Sequence, residues 1–126
     1  MCFPLPLPPA ELAHCRRTAA LSQLLAGLAD CSEAEVRTIT QSALVHDIGK
    51  AAIPPSILYK PGPLSSDERT IIQTHTAIGA QALARTHGTM RTAAVVALQH
   101  HERLDGSGYL GLRSSEIHPH AKLIAV

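Results

Sequence analysis

The chain has 126 residues, 45% of them hydrophobic but only 2% aromatic, with a formal net charge of +1. That length suits one domain, and a core built from Ala, Leu, Ile and Val favours packed helices over a β-sandwich. The near-neutral charge and the lack of a long basic run argue against a nucleic-acid polymer as partner.

The opening MCFPLPLPPA lacks the charged start and long apolar stretch of a signal peptide. No segment approaches the ~20 apolar residues needed to span a bilayer. The three cysteines, Cys2, Cys15 and Cys31, form no CxxC pair, and the odd count suits reduced thiols. The expectation is a cytoplasmic protein with no membrane contact.

Residues 1–8 read as a proline-rich, extended or disordered lead, and the domain as 9–126. Pro9 suits a first helical turn, where its missing N–H costs nothing. The first helix is predicted over Pro9–Leu28, with Leu21, Leu24, Leu25 and Leu28 on its apolar side. Ser32 to Glu35 forms a capping box that opens a second helix. Val36, Ile39, Ala43 and His46 then make one stripe, and Gly49 with Pro54-Pro55 ends the helix. SILYKPGPL at 56–64 reads as a loop. Ser65 to Glu68 is a second capping box, opening a helix to about Arg85 with Ile71, His75, Ile78 and Ala82 on its buried stripe. A fourth helix should cover about Met90–His101, followed by the turn DGSGYLGL. Ala121–Val126 reads as the first turn or two of a fifth helix. The fold expected is an all-α helical bundle of about five helices, incomplete at the C-terminus.

Eight histidines stand out in so short a chain. Taken singly they are weak signals. His46 and His75 on apolar stripes read more readily as hydrogen-bonded core residues, and His100 and His101 suit a helix C-terminus. His14 lies in phase with Leu21 and Leu28. Jointly they are stronger, because several imidazoles buried in a small core need partners, and a shared metal centre satisfies them all. Asp47 follows His46 directly. Adjacent helical residues point about 100° apart, so the pair can address two metals ~3.5–4 Å apart, with the carboxylate bridging them. Histidine and carboxylate ligands without thiolate suit Fe, Mn, Zn or Ni. Lys50, one turn after His46, is placed to hold a phosphate as a point charge. Such a site generates hydroxide at neutral pH and neutralises a phosphate oxygen.

The motifs resemble the HD-GYP domain, a branch of the HD superfamily of metal-dependent phosphohydrolases. HDIGK at 46–50 resembles the HD motif. His14 and Arg17 in AHCRRTAAL, 32 residues before His46, resemble the first ligand histidine and its nearby arginine. IPPSILYKPGPLSSDE at 53–68, His75 with Gly79, and HHERLDGSGY at 100–109 follow in the family's order. The similarity covers about residues 10 to 126.

The resemblance implies hydrolysis of the bacterial second messenger cyclic di-GMP to pGpG or GMP, with two or three iron or manganese ions. It implies His14, His46, Asp47, His75, His100 and His101 as metal ligands. Asp47 and Lys50 carry the catalytic roles, with Lys50 on the substrate phosphate. Gly108 and Tyr109 belong to the loop that borders the nucleotide and, in some members, contacts a GGDEF partner domain. Four departures qualify this. Leu110 stands where GYP has proline, so the loop should be less rigid. Ala10 stands where some members carry an acidic residue, which argues for a binuclear centre. The chain ends at Ala125-Val126, about two residues before a further ligand aspartate is expected, and later helices are absent. An apolar face is therefore expected to be exposed, favouring a homo-oligomer. The alternative reading is a non-catalytic regulatory module that binds a GGDEF-type partner or a cyclic nucleotide.

Overall fold

The computed structural model describes residues 7–86 and 90–125. Most of the proline-rich lead, His87 and Val126 lie outside the described residues. The elements run α1 Pro9–Leu28, α2 Glu33–Val45, a 3-10 turn Ile48–Ala52, α3 Pro55–Leu58, α4 Ser66–Ala84, α5 Met90–Gln99, a 3-10 turn Ser114–Glu116 and α6 Pro119–Ile124. There is no strand among the described residues, so the all-α reading holds.

Local signals set most helix starts. Pro9 occupies the first turn of α1, and both capping boxes form, Ser32 with Glu35 and Ser65 with Glu68. Each box satisfies two otherwise orphaned backbone N–H groups. The stretch read as a loop contains the one-turn helix α3, in which Leu58 N–H donates to Pro54 O and Tyr59 N–H to Pro55 O. Pro55 at its first position is pre-set for helical φ, a cue outweighed in the sequence by Pro61, Gly62 and Pro63. Helix α5 stops at Gln99, short of the expected His101, and α6 starts at Pro119, earlier than expected.

The buried faces differ from two sequence expectations. Helix α1 buries Cys15, Ala19, Ser22 and Ala26, while Leu21, Leu24 and Leu28 are 49%, 61% and 74% exposed. Small residues let α1 lie close along α2, where a row of leucines would hold the helices apart. In α4 the buried face is His75, Thr76, Gly79 and Leu83, and Ile71 and Ile78 are turned outward. Gly79 suits that rotation, because it faces Gly49 of the 3-10 turn, where a Cβ on Gly79 would stand 3.2 Å from Gly49 N. Helix α5 fills the space between α2 and α4. Ala19, Ala26, Ile39, Ala43, Val96, Ile117, Ala121 and Ile124 form one apolar cluster, and Leu83 packs with Ala93, Ala94 and Ala97 in another. Leu7, assigned to the lead, is buried too. The bundle brings the C-terminal ends of α2 and α5 beside the middle of α4, and the site forms there.

Candidate metal centre

The chain leaves helical geometry at the end of α2. His46 caps α2, and Asp47 takes φ −102° and ψ 15° as the residue before the 3-10 turn. This corrects the picture of His46 and Asp47 as neighbours within one helix. Released from the helix, the Asp47 carboxylate sits at the centre of the site with 2% of the residue exposed.

Five cationic or imidazole groups surround it. Asp47 Oδ2 lies 3.3 Å from His14 Nε2, 3.2 Å from His46 Nε2 and 3.1 Å from Lys50 Nζ. Asp47 Oδ1 lies 3.3 Å from His75 Nε2 and 3.1 Å from His100 Nε2. His101 joins through its ring, 4.2 Å from that of His100 and 5.1 Å from that of His75. Two sets of potential ligand atoms result, His14–His46–Asp47 and Asp47–His75–His100–His101, with Asp47 common to both. All six residues read from the sequence as candidate ligands are thus brought together.

The hydrogen bonding shows what the cluster is built to hold. His46, His75 and His100 each place Nδ1 against a carbonyl one turn back, Ala43 O at 2.6 Å, Ile72 O at 2.6 Å and Ala97 O at 2.9 Å. A carbonyl only accepts, so each Nδ1 carries the proton and donates. Burial, with the positive charge of His46 nearby, lowers the pKa of His100 despite the carboxylate beside it. Neutral His100 therefore turns an Nε2 lone pair toward Asp47 Oδ1, a buried oxygen with no hydrogen-bond donor. His75 Nε2 and His100 Nε2 also face each other at 3.4 Å. The carbonyls on Nδ1 leave each Nε2 turned inward, and such backbone carbonyls are the usual outer partners of metal-binding histidines. The donor set of imidazoles and one carboxylate fits a divalent cation.

Burial would lower the pKa of His46, but the hydrogen bond to Asp47, with Cys15 and the Ala43 carbonyl contributing, raises it to about 10. Burial would raise the pKa of Asp47, yet the hydrogen bond and positive charge of His46 beside it hold its carboxyl well below the usual range. Burial pushes His101 down to about 3.

The site opens on the α1 side, where the His14 side chain is 46% exposed. A cleft of about 300 Å³ runs from the histidines and Lys50 to an apolar wall of Leu21, Leu25, Leu123 and Ile124. Tyr109 stacks on His101, ring centroids 4.5 Å apart at 16°. Gly108 presses its Cα against the chain at 101–103, where a Cβ would come within 2.8 Å of Arg103 N and His101 O. Arg17 is exposed on α1.

Two carboxylates were missed in the sequence. Glu11 pairs with Lys50 at 3.1 Å, and the signal was its place three residues before His14, on the same helical face. Glu102 is buried and accepts from Leu110 N–H at 2.6 Å and Leu112 N–H at 2.9 Å. Its signal was an acidic residue flanking a glycine-rich turn full of orphan N–H groups.

Fold and site together define a helical bundle with a buried histidine–aspartate centre for divalent metal. A family model described as HD domain matches residues 7–126. The chain belongs to the HD domain family, and its motifs put it in the HD-GYP branch. It is 41% identical over 116 residues to the cyclic di-GMP phosphodiesterase response regulator RpfG of Xanthomonas campestris pv. campestris, covering 90% of this chain and 31% of that protein. It is 43% identical over 115 residues to a cyclic di-GMP phosphodiesterase of Thermotoga maritima, covering 90% of this chain and 31% of that one. It is 43% identical over 98 residues to 3'3'-cGAMP-specific phosphodiesterase 2 of Vibrio cholerae, covering 77% of this chain and 19% of the relative. The chain thus spans about a third or less of the curated relatives it matches. Among the described residues, no helix is long and apolar enough to cross a membrane.

Proposed function

We propose that this chain is the metal-dependent phosphodiesterase unit of a signalling protein, cleaving cyclic di-GMP to pGpG or GMP. The observation that carries the reading is the set of imidazole nitrogens turned onto both oxygens of one buried carboxylate. It supports a binuclear centre in which His14, His46 and Asp47 would hold one ion, and Asp47, His75, His100 and His101 the other. Iron or manganese in such a site supplies Lewis acidity that activates water and offsets charge on the phosphate.

The chain's own residues do the rest. Lys50, at the mouth of the cleft between Glu11 and Asp47, is placed to turn its ammonium onto a phosphate oxygen. Burial opposes its charge, but the two carboxylates raise its pKa, so it stays cationic. The apolar wall of Leu21, Leu25, Leu123 and Ile124 offers a surface for a nucleobase. Exposed Leu104 and Leu110 on the 103–112 loop suit contact with a GGDEF domain, and the exposed α1 leucines suit self-association.

Metal content per chain, measured on protein purified without oxygen, tests the centre. About two iron or manganese ions are expected, and Asp47→Asn should lose them. Hydrolysis of cyclic di-GMP by the loaded protein then tests the activity. A folded wild-type chain without metal refutes the centre. A loaded chain that binds cyclic di-GMP without cleaving it refutes the catalytic reading and favours a binding module.

A further inference from the structure

Three of the five clustered histidines have their rings fixed by a backbone carbonyl, and of the other two, His14 and His101, it is His101 that has an aromatic ring stacked on it. His46, His75 and His100 are each oriented by a carbonyl on Nδ1. His101 lies past the end of α5, and among the described residues no carbonyl contact of that kind fixes its ring. It is only half-buried, yet the reading above requires it to hold one orientation toward the cation beside His75 and His100. What touches its face is Tyr109, nearly parallel and in stacking distance.

Tyr109 is itself placed by the residue next to His101. The two oxygens of Glu102 take two different N–H groups of the loop, Oε1 that of Leu110 and Oε2 that of Leu112. These flank Tyr109 on its C-terminal side. On its N-terminal side Gly108 lies against the backbone of residues 101–103 so closely that no side chain fits. The loop is therefore fastened back onto the segment that carries His101. A proline at position 110 would fix φ but could not make the Leu110 bond, since it has no N–H. In this chain a carboxylate does part of the work that ring rigidity would do.

We propose that Tyr109 is a positioning residue for His101, its ring serving as the orienting surface that a carbonyl provides for His46, His75 and His100, with Glu102 as the clamp that keeps it there. The inference rests on the metal-centre reading above, and it assigns Tyr109 a role toward the metal site as well as toward substrate. Because the stack needs a ring and not a hydroxyl, Tyr109→Phe should behave as wild type.

The test is metal titration of the full chain with Mn²⁺, alongside NMR of the histidine ring protons in metal-free protein. The wild-type chain and Tyr109→Phe should show the His101 protons shifted upfield by the stacked ring, and Tyr109→Leu should lose that shift. Tyr109→Leu should weaken the binding step that uses His101 by about 10–100-fold, the usual effect of removing an outer partner of a ligand. His101→Ala gives the size of complete loss. Glu102→Gln should move in the same direction as Tyr109→Leu, because one of its two acceptors becomes a donor facing an N–H. A Tyr109→Leu chain that binds Mn²⁺ like wild type overturns the proposal, as does a Tyr109→Phe chain as impaired as Tyr109→Leu. A wild-type chain that shows the upfield shift but takes no metal overturns the metal-centre reading, and the positioning role falls with it for a separate, visible reason.

Discussion

Replacing Gly49 by alanine should damage the site more than its small size suggests. Gly49 lies in the 3-10 turn directly after the HD pair, pressed against α4. A Cβ there would stand 2.8 Å from both Gly79 N and His75 C, and closer still to His75 O. Ordinary carbon–carbon contact is about 3.5 Å or more, so the contact with His75 C alone would part the turn and α4 by about 0.7 Å, and the nearer carbonyl oxygen demands more. All the obstructing atoms are backbone, so no rotamer change relieves the clash. Overpacking of this kind costs about 1–3 kcal/mol, sometimes more. The functional effect should be larger, since α4 carries His75 and the turn follows Asp47, now 3.3 Å from His75 Nε2. Metal sites hold their distances to about 0.2 Å. Gly79→Ala is the control: its Cβ would stand 3.2 Å from Gly49 N, and the helix-forming gain of alanine, about 0.5–1 kcal/mol, offsets that milder squeeze. Urea denaturation and metal analysis of both variants would read this out. The expectation is Gly49→Ala destabilised by about 3 kcal/mol with metal lost, and Gly79→Ala near wild type. Equal stability of the two, or a worse Gly79→Ala, would refute the reasoning.

Further outcomes follow from the same geometry. Ser65→Ala removes the side-chain acceptor for Glu68 N–H and should lower stability by about 1 kcal/mol in denaturant titration. Glu102→Gln breaks one of two buried bonds to the 110–112 backbone and should cost about 1–3 kcal/mol by the same assay. Leu24→Lys together with Leu28→Lys falls on exposed positions; each should change stability by no more than about 0.5 kcal/mol, while sedimentation shows reduced self-association. Saturating metal at about 100 times its Kd should stabilise the folded chain by about 2.7 kcal/mol, seen as a rise in Tm that a chelator reverses.

Much of this protein is legible in its sequence because the relevant signals are local. Two capping boxes and a helix-opening proline locate the starts of α1, α2 and α4. The scarcity of aromatics points to helices, and the resemblance of the ordered motifs to the HD-GYP domain implies a shared centre of His14, His46, Asp47, His75, His100 and His101 before any contact is seen. Such patterns depend on backbone propensity and chemical type, which a residue carries wherever the fold puts it.

Tertiary structure decided the rest. The leucines of α1 read as its core face, yet Ala19, Ser22 and Ala26 are buried, because close packing on α2 rewards small side chains over apolar area. Asp47 sits at a break after α2, and the turn that follows packs Gly49 against α4, a contact between residues far apart in the chain. Glu11 and Glu102 look like solvated acids in sequence, but 39 residues separate Glu11 from its partner Lys50, and Glu102 finds its donors only when the loop folds back. Propensity is a property of neighbours along the chain. Burial, tautomer and charge at the metal centre depend on groups that only packing brings within hydrogen-bonding distance.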